Sequence, residues 1–385
     1  MSKVGRLKRV GVETKAIKTV RGRGTREAGQ NRGSVYESAT MTFTVTVQPS
    51  GRTFTVERDE AILQAAIRQG IGLPYGCKDG ACGSCKSRLL EGRVIHGAHQ
   101  HKALSVEEEE AGFTLTCCAA AQTDVVIEAR TVAGAGEFPV RKMPSRVSAI
   151  RKPAPDVAVV TMQLPANDPL RYHAGQYIEF ILRDGSRRSY SMASAPHTQG
   201  DKPMIELHIR HMPGGKFTDQ VFSTMKEKDI LRMEGPFGSF FLREDSDKPM
   251  VLLASGTGFA PIKAIIEEME FKGITRPAVL YWGCRSKADL YLHDWAVEAT
   301  SRLPNLTYVP VLSEPKPEDQ WMGRTGFVHR AVMHDIPDLS GHQVYACGAP
   351  IMVESAQKDF IETCGLPEDE FLADSFTSEA DKHGD

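Results

Sequence analysis

The sequence predicts a multidomain chain that mixes α+β and α/β classes. An α+β module built round a cysteine-rich loop comes first. A small antiparallel β-barrel follows, and a doubly wound parallel sheet comes last. Three observations predict this. Cysteines stand at C-x4-C-x2-C in Cys77, Cys82 and Cys85. Short alternating segments separated by turn residues fill 144–243. Beyond 244, apolar strand-like runs alternate with amphipathic helical stretches. A chain of 385 residues also exceeds what one ordinary core organises.

The composition is that of a globular protein, with 41% hydrophobic residues, 25% charged and a net charge of −2. That balance gives no electrostatic case for nucleic acid. No apolar run approaches the ~20 residues of a membrane span. Residues 1–40 hold ten Lys or Arg against three Glu and few apolar residues, a composition that builds no core. A disordered basic arm, a transit peptide, and a native start at Met41 all remain open, with the arm or the later start preferred to targeting.

Residues 41–133 form the first module. Met41–Val56 alternates apolar and polar residues about Pro49-Ser50-Gly51, the pattern of a hairpin. Asp59 is the expected N-cap of a helix Glu60–Gln69 with Ile62, Leu63, Ala66 and Ile67 on one face. The cysteine loop follows, and Cys117 lies 31 intervening residues beyond Cys85. This is the plant-type [2Fe–2S] spacing, with four thiolates for two irons. Gly76, Gly80 and Gly83 let the loop wrap tightly and aim amides at sulfur. A zinc site favours paired C-x2-C units, and only one is present. Asp124–Ala129 reads as a closing strand. The other four cysteines, Cys118, Cys284, Cys347 and Cys364, read as reduced cytosolic thiols.

Residues 134–143 are a linker by composition. The barrel module at 144–243 carries Ser145–Ile150, Val157–Leu164, Tyr177–Leu182, Ser189–Ala193 and Met204–Arg210 as strands. Arg188-Ser189-Tyr190-Ser191 offers a forked cation, an aromatic face and a hydroxyl, the groups a flavin needs. Gly214-Gly215-Lys216-Phe217-Thr218 opens a short helix Thr218–Met225 whose amides suit a pyrophosphate. Each motif alone also fits an ordinary strand or turn.

The last module, 244–385, begins with the apolar strand Met250–Ala254, the loop Ser255–Pro261 and a helix Ile262–Phe271. Strands Ala278–Gly283, Leu306–Leu312 and Gln343–Cys347 alternate with helices Leu290–Arg302, Phe327–Met333 and Ile351–Thr363. Ligands in such sheets bind at the carboxyl ends of strands, here Gly256–Gly258, Gly283–Ser286 and Cys347–Pro350. Gly256, Thr257, Gly258 and Pro261 make G-x-G-x-x-P, a variant of the dinucleotide fingerprint and equally a plain strand–helix turn. Arg285 and Lys287 either meet a ribose 2′-phosphate or form a solvated basic turn, and NADH is preferred to NADPH.

With these motifs in place, 41–133 resembles a β-grasp plant-type ferredoxin, and the rest resembles the ferredoxin–NADP reductase superfamily. The resemblance covers about 41–376 and fits the single-chain reductases of multicomponent oxygenases. It looks most like the bacterial CDP-6-deoxy-Δ3,4-glucoseen reductase group. The resemblance implies FAD held by Arg188 at the pyrophosphate and Tyr190 on the ring, with Ser191 near N5. Gly214, Gly215, Lys216 and Thr218 belong to the same flavin site, and His208 and Arg210 to the strand beneath the ring. It places Cys347 and Gly348, in Cys347-Gly348-Ala349-Pro350, beside the nicotinamide. Phe376 resembles the C-terminal aromatic that guards the flavin.

The implied activity is transfer from NAD(P)H to FAD to [2Fe–2S] to an acceptor protein, an oxygenase or dehydrase component. A hydride brings two electrons together and a cluster takes one at a time, so the flavin stands between them. Plant-type clusters near about −400 mV can reduce many acceptors. A flavin or ferric reductase using small acceptors, and a non-catalytic electron carrier, are the alternatives. The chain is expected to be a cytoplasmic monomer that binds neither nucleic acid nor membrane.

Overall fold

The computed structural model describes residues 41–377. The basic arm at 1–40 lies outside the described residues. In the first module, β1 (Thr42–Gln48) and β2 (Arg52–Glu57) form the expected hairpin. Alternation puts Val45, Val47, Phe54 and Val56 in the core. Helix α1 is Ile62–Arg68, shorter than predicted, and its N-cap is Ala61 in extended conformation, not Asp59. The reason is pairing: a turn occupies 58–60, Ala61 bridges Ala120 and the Leu63 amide donates to Thr116, so the helix starts only after 61.

After the cysteine loop come β3 (Lys86–Glu91), β4 (Val94–His96), α2 (Val106–Glu110), β5 (Phe113–Leu115), β6 (Ala119–Ala121) and β7 (Val125–Glu128). The main sheet runs β2-β1-β7-β3-β5, with β7 parallel to β1, and β4 pairs with β6. Ser105 and Glu108 form a capping box that starts α2, a helix with no buried side chain.

The barrel contains β8 (Arg141–Ala154), β9 (Val157–Gln163), β10 (Tyr177–Ile181), β11 (Arg187–Ser191), β12 (Met204–Arg210), α3 (Lys216–Ser223) and β13 (Ile230–Phe237). All pairings are antiparallel, in the order β11-β10-β13-β8-β9-β12. A bridge between Met192 and Leu207 joins the two edges and closes the sheet. Strand β8 begins at Arg141, inside the segment read as a linker.

The third module alternates as expected. It has β14 (Met250–Ser255), α4 (Phe259–Lys272), β15 (Ala278–Cys284), α5 (His293–Arg302), β16 (Leu306–Leu312), β17 (Arg324–Thr325), α6 (Val328–Asp335), β18 (Gln343–Gly348), α7 (Pro350–Glu362) and β19 (Phe371–Ser375). The sheet is wholly parallel, in the order β17-β16-β15-β14-β18-β19. The order reverses between β14 and β18, which puts a ligand crevice at their carboxyl ends.

The modules share their interiors. Tyr177 and Phe237, from barrel strands, pack in the hydrophobic cluster of the iron–sulfur module with Leu73, Tyr75 and Leu104. Leu242 and Phe240, at the end of the barrel region, pack with Met250 and Leu252 of the parallel sheet. No helix among the described residues is long and apolar enough to cross a membrane.

Candidate active site

Three Gly-rich loops and two strand ends converge on one cavity of roughly 1410 Å³. Its wall begins at Gly76 and Cys77 in the cysteine loop and passes Arg188, Tyr190 and Ser191 on the barrel. It ends at Gly256, Cys284 and Arg285 on the parallel sheet. One continuous space therefore spans all three modules.

The four predicted thiols are brought together as two pairs. Cys77 lies within hydrogen-bond reach of Cys82, and Cys117 of Cys85 and also of its neighbour Cys118. No three His, Cys, Asp or Glu side chains among the described residues are gathered round a single-ion position. Two separate thiol pairs suit two irons better than one tetrahedral zinc. The Cys77 amide points at the Cys82 sulfur at 3.5 Å, and the Ser84 hydroxyl lies 3.4 Å from it. Hydrogen bonds from Cys77 and Ser84 hold the Cys82 thiol below its ordinary pKa despite its burial. Gly80 and Gly83 have positive φ, and a Cβ on Gly80 would stand 2.8 Å from the Cβ of His99. Cys118 neighbours Cys117 and is half-buried, with its sulfur 3.8 Å from the Leu115 carbonyl.

The flavin motif lines the middle of the cavity. Tyr190 packs on Phe217, ring centroids 5.4 Å apart, and burial raises its hydroxyl pKa. Arg188 reaches the cavity from β11, with one guanidinium nitrogen donating to the Arg187 carbonyl. Ser191 is buried and donates to Asp374 Oδ2 at 3.0 Å. Gly214 has φ +83 with open space beside it. Gly215 has none: a Cβ there would strike Thr218 Oγ1 at 2.6 Å. The Thr218 hydroxyl is itself engaged, donating to the Met212 carbonyl at 2.9 Å. Lys216 is exposed and paired with Asp184 at 2.8 Å. The loop geometry fits a phosphate held by backbone amides better than by that hydroxyl.

His208 and Arg210 have different surroundings. His208 is buried between Tyr291, 2.8 Å from Nδ1, and Glu206, 3.0 Å from Nε2. Burial lowers its pKa against the pull of Glu206. Glu206 in turn meets Lys263 of α4 at 3.3 Å, so this polar chain joins the barrel to the parallel sheet. Arg210 pairs with Asp156 at 3.2 Å and overhangs the glycine loop, where a Cβ on Gly256 would lie 3.1 Å from its guanidinium.

At the nicotinamide end, Gly256, Thr257 and Arg285 line the cavity, while Gly258, Pro261, Cys347 and Gly348 do not. Cys347 is fully buried behind the glycine loop, and burial raises its thiol pKa. A Cβ on Gly258 would lie 2.2 Å from the Cys347 carbonyl oxygen, and one on Gly348 would lie 2.2 Å from Ser255 Oγ. These glycines let two loops touch each other. Their close approach is backbone to backbone, where the sequence suggested backbone to cofactor. The cysteine of the parallel-sheet module that lines the cavity is Cys284, at the end of β15, with its thiol pushed up to about 12 by burial. Lys287 is exposed and lies off the cavity wall. Phe376 lines the cavity, and its amide donates to the Gly348 carbonyl at 2.9 Å.

Asp374 was not read from the sequence as a site residue. Its carboxyl is buried, and burial raises its pKa to about 7, with the Ser191 hydroxyl opposing. It also faces the cysteine loop, since a Cβ on Gly76 would lie 3.9 Å from Asp374 Oδ1. Its position on β19 gives no local sequence signal, because its partners lie in the other two modules.

Domain-family models match three successive segments of the chain. Residues 45–122 match the 2Fe-2S iron-sulfur cluster binding domain family. Residues 144–242 match the oxidoreductase FAD-binding domain, and 252–358 the oxidoreductase NAD-binding domain. The chain is 40% identical over 339 residues to the CDP-6-deoxy-L-threo-D-glycero-4-hexulose-3-dehydrase reductase of Yersinia pseudotuberculosis, covering 87% of this chain and 99% of that one. It is 33% identical to DmpP, the reductase component of phenol 2-monooxygenase from a Pseudomonas strain, over 88% of this chain and 96% of the other. The crystal structure of the Amycolatopsis cytochrome P450 reductase GcoB superposes with a TM-score of 0.72 at 34% identity, over 87% of this chain and 99% of that one. Such identity along nearly the whole length of each relative leaves one assignment: the chain belongs to the ferredoxin–NADP reductase superfamily, in the single-chain branch that carries an N-terminal plant-type [2Fe–2S] ferredoxin.

Proposed function

We propose that the protein is the NADH-dependent reductase of a two-component system, delivering electrons one at a time to an oxygenase or CDP-deoxysugar dehydrase. The cavity common to the three modules carries this reading. When bound, the flavin accepts a hydride and the two-iron cluster takes its electrons singly. The chain's own residues do the rest. Arg188 supplies charge for the flavin phosphates, and Tyr190 supplies a face for its ring. Ser191 and Asp374 form a buried pair able to hold a proton next to the flavin face. Phe376 covers the cavity from the end of β19 and keeps water from that face.

NADH is favoured over NADPH by Asp289. This carboxylate lines the cavity near Arg285 and accepts from the Ser286 amide and hydroxyl, which leaves the turn less basic than its sequence suggests. Free cysteines throughout the described residues suit a cytoplasmic setting, and we take the protein to act as a monomer.

Reconstituted protein should show flavin and iron–sulfur absorption. Stopped-flow mixing with NADH should bleach the flavin first and the cluster second. A cluster that bleaches before the flavin, or never, defeats the reading, as does a higher kcat/KM with NADPH for the coenzyme assignment.

A further inference from the structure

The loop that carries Cys77 and Cys82 is fastened to the flavin barrel residue by residue. The Tyr75 amide donates to Ser239 Oγ at 2.9 Å, and that hydroxyl donates back to the Tyr75 carbonyl at 3.0 Å. The Tyr177 hydroxyl donates to the Gly76 carbonyl at 2.8 Å in a buried setting. Just past Cys77 stands Lys78, a non-glycine residue at φ +65. That conformation is disfavoured for an L-residue and persists only where neighbours enforce it.

What enforces it is a buried ionic contact across the module boundary. The Lys78 ammonium lies 2.8 Å from Glu179 Oε1, and the Glu179 side chain is 5% exposed. The same ammonium stands 3.3 Å from the centroid of the Phe237 ring. Glu179 also accepts from Arg187 at 2.8 Å, and Arg187 pairs with Glu234. Two cations and two carboxylates thus pair along the seam, with Arg187 at its exposed edge. A lysine whose role was to meet solvent or an acceptor protein would not be folded inward over an aromatic ring.

We propose that Lys78 is a positioning residue: its latch to Glu179 holds the cluster loop in register with the flavin site, so that an electron passes from reduced flavin to oxidised cluster with no domain movement. The inference rests on the reading of the chain as a flavin-to-cluster reductase. Glu179→Gln leaves the Lys78 ammonium without its carboxylate, and Lys78→Met frees the loop while Glu179 stays paired with Arg187, so in both the loop should loosen rather than settle into a new seat.

The test uses holoprotein carrying Lys78→Met and, separately, Glu179→Gln, which lies far from the cysteines in sequence. NADH should reduce the flavin in both variants at the wild-type rate. Transfer from flavin to cluster should slow by about tenfold or more, and amide hydrogen exchange across 73–85 should quicken by about tenfold or more. If Lys78→Met fails to retain iron, Glu179→Gln decides alone. Wild-type exchange and a wild-type flavin-to-cluster rate in Glu179→Gln overturn the proposal. A wild-type protein whose flavin NADH cannot reduce would defeat the functional reading instead, while hydrogen exchange would still judge the latch.

Discussion

Ser191 of the barrel and Asp374 of the last strand of the parallel sheet are hydrogen-bonded at 3.0 Å across 183 residues of sequence. Their carboxyl–hydroxyl pair closes the cavity wall between the flavin motif and the cysteine loop. A buried carboxyl in such a place affects stability as well as chemistry.

The folded protein keeps a proton on Asp374 up to about pH 7, whereas an unfolded aspartate releases it near 3.8. Stability from this group is complete below the lower value and is lost as pH rises through the higher one. Asp374→Asn removes that loss. Between about pH 5.5 and about pH 8, wild type should lose about 2 kcal/mol relative to the variant. Thermal melts of the apoprotein at both pH values check this; parallel curves would refute it.

Cys82→Ser should abolish the iron–sulfur absorption while NADH still bleaches the flavin, because the flavin site uses no cysteine ligand. Cys118→Ser, which touches Cys117 but lies outside the C-x4-C-x2-C…C spacing, should keep its cluster. Iron content and the resonance signal of the reduced protein read both outcomes.

Gly258→Ala places a methyl group 2.2 Å from a backbone oxygen that has nowhere to go. The variant should lose about 2–4 kcal/mol in denaturant melts, as strain at a fixed backbone does. Gly51→Ala, with nothing within 4 Å but a φ of +69, should lose only about 1 kcal/mol.

Tyr291→Phe leaves His208 Nδ1 buried without its partner at 2.8 Å. An orphaned buried polar atom costs about 1–3 kcal/mol. The midpoint of denaturant unfolding should fall accordingly. Because this contact spans the seam between barrel and parallel sheet, hydride transfer from NADH should slow as well, which single-turnover flavin reduction measures.

Much of this architecture could be read from the chain, and the failures have physical causes. Strands Met204–Arg210 and Leu306–Leu312 appear where local patterning placed them, because half-buried alternation and all-apolar runs are local signals. Helix α2 escaped notice because Val-Glu-Glu-Glu-Glu has no apolar face; only the Ser105–Glu108 capping box marks it. Strand β13 was missed because Gly235-Pro236 inside it reads as a terminus. The thiols and the Arg188–Ser191 motif were legible because their chemistry is written in adjacent residues. Asp374, Cys284 and Lys78 were not, since each acquires its meaning from partners in distant segments.

Tyr177 and Phe237 complete the interior of the iron–sulfur module from within the barrel. During synthesis that module leaves the ribosome before either ring has been made, and roughly a hundred residues must still be added before the second arrives. The nascent N-terminal segment therefore waits with an unfinished apolar face, a natural client for a chaperone. Module shuffling between relatives must carry these two rings along with the segment they serve.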